Sequence, residues 1–185
     1  MTKPAPTPCG FAQIMRILIL ISLVAVIMSL SGCQSTPSSS KVSGRVIRYG
    51  LYRTPDESIR VPIPAAPTGQ GRYLPQEPVF VMEASRIPAT LGVRFGFDFE
   101  VTGLPPTLVQ LRSVAIYPPI RRPDGSVATG HELAYPLLLP VDGRVATSIG
   151  FGFDKDYELV PGKWTLQILD EDKKIVERAF EVYRP

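Results

Sequence analysis

The chain reads as an all-β protein: an immunoglobulin-like two-sheet β-sandwich of about eight strands, preceded by a signal-peptide helix and a disordered tether. A small β-barrel is the alternative. Three observations lead there. Short apolar segments alternate with a period of two, as strands with one buried face do. Twenty prolines and fifteen glycines fall mostly between those segments, as turn signals do. Beyond residue 41 no segment has helical period, and regular short strands separated by turns indicate a sandwich or barrel.

The expected strands come in order along the chain. Val42 to Tyr52 is strand-like in composition. Residues 53–78 carry Pro55, Pro62, Pro64, Pro67, Pro75 and Pro78, which exclude a helix and any central strand. This stretch is expected to be an ordered coil draped over a sheet edge, with a partner-binding loop as the second reading. Val79 to Ala84 is a short apolar strand, and Val93 to Val101 is the most regular. There Phe95, Phe97, Phe99 and Val101 share one face and Arg94, Gly96, Asp98 and Glu100 the other. Further strands are expected at residues 109–117, 131–139 and 148–154. Pro161-Gly162 suits a type II turn, after which Trp164, Leu166 and Ile168 face the core. Asp170-Glu171-Asp172-Lys173 is a hairpin loop, and Ile175 to Tyr183 closes the domain.

The front of the chain has a different character. Arg16 precedes an apolar run, Ile17 to Leu30, and the run ends in Leu30-Ser31-Gly32-Cys33. These four residues resemble the lipobox of bacterial lipoproteins. The resemblance implies a diacylglycerol thioether on Cys33, cleavage before it, and a firm anchor when further acyl chains are added. A retained transmembrane helix is the rival, but about 20 apolar residues span a bilayer and this run has fourteen. The organisation is thus a signal peptide at residues 1–32, a lipidated N-terminus and tether at 33–41, and a single domain at 42–185. Gln34 to Lys41 is too poor in apolar residues to pack, and its eight residues reach at most about 28 Å. Gln34 follows the cysteine where Asp is the usual inner-membrane retention signal, so the resemblance implies the periplasmic face of the outer membrane. Met15-Arg16 would also open a compact signal by itself, which makes Met15 a second candidate start.

Processing changes the charge balance. Removing Lys3 and Arg16 from the twenty basic residues leaves eighteen against seventeen acidic ones, near neutrality instead of +3. No strong field for nucleic acid remains. Cys9 is lost with the signal and Cys33 is capped, so no thiol is left for a disulfide and the core alone must hold the domain.

No chemistry is evident. His131 is the single histidine, which removes His-based zinc clusters; a strand-end or loop position with solvent around it is expected. Asp154, Asp156 and Glu158 alternate as on a solvated strand end and lack the remaining ligands of a calcium loop. Asp170, Glu171 and Asp172 belong to the hairpin loop. Tyr49, Tyr52 and Tyr73 are expected to pack in the core or loops, with ligand stacking as the lesser reading. Arg121-Arg122 reads as a solvated turn able to meet an acidic partner.

Several segments together resemble a family of bacterial envelope domains known only as a domain of unknown function. They are Ile87-Pro88, Gly92-Val-Arg-Phe-Gly96, Val101-Thr-Gly103 with Pro105, and Glu158-Leu-Val-Pro-Gly-Lys-Trp164. The resemblance covers roughly residues 45–182 and implies an exported β-sandwich without catalytic residues to transfer. The expectation is a non-enzymatic, membrane-anchored envelope lipoprotein that binds a protein or envelope component, with no cofactor or metal. The alternative is an envelope hydrolase with an unrecognised carboxylate site.

Overall fold

A computed structural model describes residues 41–54, 58–73 and 76–185. Eleven strands run β1 (Ser43–Arg53), β2 (Ile59–Pro62), β3 (Gln70–Tyr73), β4 (Val79–Met82), β5 (Arg86–Pro88), β6 (Arg94–Thr102), β7 (Leu111–Arg121), β8 (Val127–Ala134), β9 (Arg144–Gly152), β10 (Gly162–Asp170) and β11 (Lys173–Tyr183). Nine of them form two sheets, ordered β4-β1-β6-β9 and β5-β11-β10-β7-β8. The remaining two make a separate hairpin.

The core lies between the sheets. Phe95, Phe97, Phe99 and Val101 of β6 are fully buried, and they meet Trp164, Leu166 and Ile168 of β10 with Val176, Phe180 and Val182 of β11. Edge-to-face contacts of Phe95 with Trp164 and Phe180 pack the two layers at ring separations of 5.9 and 5.1 Å. Such pairs add about 0.5–1.5 kcal/mol each beyond the area they bury. The strand phase read from the sequence therefore holds for β6 and β10.

Three expectations need correction. The Pro-rich stretch is not plain coil: β2 and β3 form an antiparallel hairpin, with Pro62 at the end of β2 and Pro64 and Pro67 in the connecting loop, where no ladder donor is required. The strand expected at 131–139 runs instead from Val127 to Ala134. Asp124-Gly125, with Gly125 at φ +85°, turns the chain early enough for β8 to start at once. Leu137 and Leu139 then fall outside the sheets and are exposed. Gly162 does have positive φ, at +129°, but it opens β10 instead of sitting inside a type II turn. A Cβ there would press on the Pro118 ring at 2.9 Å.

Two further turns are built as the sequence indicates. Asp142 and Gly143 both have positive φ, 51° and 70°, and lead into β9. The loop between β10 and β11 carries Glu171 at φ 52°. Antiparallel pairing fixes which strand ends lie together. Ser43 pairs with Thr102, which pairs with Arg144, so β1 starts at the end of the sandwich where β6 finishes and β9 begins.

Candidate functional site

Cys33, the tether at 33–41 up to residue 40 and the Met15 start lie outside the described residues. The other residues singled out from sequence do not gather into one site. His131 stands mid-strand in β8, half-buried, and not at a solvated strand end as expected. Its ring lies against Tyr117 and Phe151, with Nδ1 3.3 Å from the Tyr117 hydroxyl. Burial, with help from the Arg122 charge, pushes its pKa down to about 4. Among the described residues no carboxylate or serine hydrogen-bonds to it. Among the described residues no three His, Cys, Asp or Glu side chains are grouped to hold a metal.

The acidic run is not one solvated face. Asp156 is exposed, but Glu158 is 2% exposed. Its Oε2 accepts the backbone N–H groups of Asp154 and Lys155, both at 2.8 Å, and so closes the turn at Asp156–Glu158. Burial raises the Glu158 pKa, and the two N–H donors only partly oppose that. Two residues further on, the Val160 carbonyl accepts the Trp164 indole N–H at 3.1 Å. The Glu158–Trp164 stretch is therefore a latch. It ties the chain leaving β9 to the start of β10, and each of Glu158, Gly162 and Trp164 has a structural task.

The outer face of the four-stranded sheet holds the main polar cluster. Gly150 and Gly152 leave room there: a Cβ on Gly150 would collide with the Tyr52 ring, and one on Gly152 with the Arg94 guanidinium. Tyr52 lies on this floor with Phe80 beside it at 5.6 Å. Burial pushes the Tyr52 phenol up to about 12, against the pull of Arg94 and Arg72. Asp154 accepts Arg94 at 2.8 Å and Arg72 at 3.1 Å. Burial opposes ionisation of Asp154, yet the two guanidinium groups outweigh it and hold its carboxyl below the usual range. Because Arg72 belongs to β3, this pair docks the hairpin. Arg122 fastens the other side by donating to the carbonyls of Ala65 and Ala66 at 2.6 and 3.0 Å, so it is no free solvated turn residue. Arg121 remains exposed. The hairpin in turn presents Ile59 and its cross-strand partner Tyr73, both about half exposed. Tyr49 lies under the guanidinium of Arg178.

Neither of two shallow grooves resembles a hydrolase cleft. The larger, about 250 Å³, is lined by Ile47, Arg48, Glu77, Asp98 and Ser148 among others. Arg48 pairs with Asp98 and also reaches Glu77 at 3.7 Å, while Ser148 donates to Asp98 at 2.7 Å. Both carboxylates of this groove therefore contact the same arginine. The smaller, about 130 Å³, lies beside Ser43, Arg45 and Glu100.

Edges are more distinctive than pockets. Among the described residues no strand pairs with the free side of β4, and its Val79, Val81 and Met82 are 62%, 51% and 59% exposed. The opposite edge, β9, is partly covered, since the Tyr135 hydroxyl donates to the Ser148 carbonyl at 2.8 Å.

Comparison with known proteins agrees with this picture. Residues 40–182 match a family described as Domain of unknown function (DUF3859). The chain belongs to that family. The match takes in both sheets, the hairpin and the latch, and it identifies no reaction. An immunoglobulin-like protein from Pseudomonas aeruginosa is similar in structure, with TM-score 0.56, 20% identity, 79% of this chain and 99% of that chain covered. At that identity the likeness shows the immunoglobulin-like fold alone. A Pseudomonas fluorescens alkylpurine DNA glycosylase bound to abasic-site DNA overlaps 55% of this chain and 28% of its own, at TM-score 0.41 and 14% identity, and it carries no inference about this chain. No curated protein matches.

Proposed function

We propose that this DUF3859 protein is an exported lipoprotein, anchored through Cys33, whose sandwich is a non-enzymatic module binding another protein or an envelope component. Its place on this reading is the periplasmic face of the outer membrane. The lipobox Leu30-Ser31-Gly32-Cys33 and Gln34 support the anchor and the address. The observation that carries the binding role is the open β4 edge with its exposed Val79, Val81 and Met82. An unpaired strand edge offers a row of backbone donors and acceptors to an incoming extended segment, and flanking side chains supply specificity. The β2–β3 hairpin, which shows Ile59 and Tyr73, widens that surface.

Site-specific photocrosslinking in intact envelopes tests the proposal. A photoreactive residue at Val81 should give a discrete adduct, while one at Lys163, exposed on the interior strand β10, should not. Equal labelling at both positions, or none at Val81, would refute the edge as the binding surface. Fractionation of the same cells reads the anchor separately: Cys33→Ser should release the chain from membranes or leave it unprocessed.

A further inference from the structure

We infer that the end of the sandwich where β1 begins is a membrane-facing surface that rests on a neutral lipid bilayer through an aliphatic patch. This inference rests on the lipid anchor proposed above. Leu108, Leu137, Leu139 and Val141 are 61%, 60%, 65% and 73% exposed, among the most exposed large apolar side chains of the described residues. They are neighbours. Val109 and Leu138 exchange both backbone hydrogen bonds, at 2.8 and 2.9 Å, which sets Leu108 across from Leu139. Val141 comes two residues later and pairs with Arg144, and Gly143 accepts the N–H of Leu104 at 3.1 Å. Pro105, Pro106, Pro136 and Pro140 fill the same loops. Prolines have no N–H to strand in an apolar phase, which lowers the cost of laying these loops on a lipid surface.

The position of the patch decides its occupant. Ser43, the first residue of the sandwich, is two strands from Arg144, a separation of about 10 Å. The nine residues 34–42 between Cys33 and Ser43 reach at most about 32 Å. A lipid on Cys33 thus holds this end, and not the β4 end, near the bilayer, where a weakly attractive surface is engaged at high effective concentration. The charges select the lipid. Arg45 and Arg144 share Glu100, at 2.9 and 3.8 Å, Arg112 pairs with Glu132 and Asp172, Lys174 pairs with Glu177, and Asp142, Asp170 and Glu171 stand against Lys41 and Lys173. No cationic excess remains to read an anionic headgroup, so the patch fits a zwitterionic surface at interfacial depth.

Nitroxide depth measurements on the full lipidated chain test this. Leu139→Cys and Val127→Cys each provide one free thiol in the mature protein, and Val127, 52% exposed, starts β8 at the opposite end. Each labelled protein is placed on phosphatidylcholine–phosphatidylethanolamine vesicles after flotation has been scored. The label at 139 should favour collision with oxygen over an aqueous nickel chelate several-fold more than the label at 127. Flotation with both labels equally open to nickel overturns the membrane-facing surface and leaves the anchor standing. Failure to float overturns both. Shielding at 139 that needs added envelope protein, or that occurs for a Cys33→Ser chain without vesicles, assigns the patch to a protein partner or a second copy and overturns the lipid.

Discussion

The indole nitrogen of Trp164 donates to the carbonyl of Val160 four residues earlier, so the largest buried side chain is also the tie of its own approach loop. Packing and hydrogen bonding thus fail together if the ring is removed. Trp164→Ala should cost about 3–5 kcal/mol, within the whole stability of an ordinary domain. Gln167→Ala, one strand position out of phase, loses only its exposed bond to Glu177 and should cost under about 1 kcal/mol. Urea denaturation read by tryptophan emission measures the second, and far-UV dichroism the first.

Glu158 should behave as a buried acceptor and not as an acid. Glu158→Ala strands two backbone donors and should cost about 2–3 kcal/mol. Glu158→Gln keeps an oxygen in place and should cost less than half of that. Equal losses in the two variants would show that the charge, not the acceptor, matters.

Gly150 and Tyr52 should be coupled. Gly150→Ala drives a methyl into the Tyr52 ring and should cost about 1–3 kcal/mol. In a Tyr52→Ala background the same substitution should be nearly neutral. A double-mutant cycle on thermal stability reads the difference.

The Arg72–Asp154 contact is partly exposed, so its share of global stability should stay below about 1 kcal/mol. Arg72→Ala should leave the melting temperature almost unchanged. It should nevertheless speed limited proteolysis within residues 58–73, because it frees one side of the docked hairpin.

Stability should fall in mild acid through His131. Its folded pKa is about 4 against an ordinary value of 6.5, so below about 6.5 the unfolded chain binds a proton that the folded chain refuses. The contribution is complete above pH 6.5 and is lost as pH falls toward 4, by up to about 1.4 kcal/mol per pH unit. Glu158, whose pKa is raised, acts in the opposite sense. Comparing wild type with His131→Phe by denaturation at several pH values isolates the histidine. An unchanged slope in the variant would contradict the assignment.

Sequence periodicity is sufficient for β6 and β10 because each has one wholly buried face. It fails where burial has other causes. Gly96 and Asp98, on the outward phase of β6, are buried as well. The outer face of that sheet is covered by Tyr52 and Arg48, contributed from β1. Glu158 reads as solvated because its partners are backbone groups, which leave no compositional trace. The strand expected at 131–139 shows the opposite error. Leu137 and Leu139 attract a strand assignment by their hydrophobicity, yet prolines on both sides keep them out of the ladder and in solvent. β5 is three residues long and pairs in parallel with β11, a partner that no local signal announces. Glu77, Ile59 and Tyr73 lie in the Pro-rich region, where sequence shows only what is forbidden.

The pairing of β5 with β11 also orders events in time. Ile87 meets Val182 across about two thirds of the sandwich sequence, and Ala89 donates to Tyr183 at 2.8 Å. The edge of the five-stranded sheet therefore cannot close until β11 is available to pair. Contacts of such long separation slow folding. The four-stranded sheet draws only on residues 43–152, whereas the five-stranded sheet stays open at its β5 edge until the last strand of the sandwich is in place.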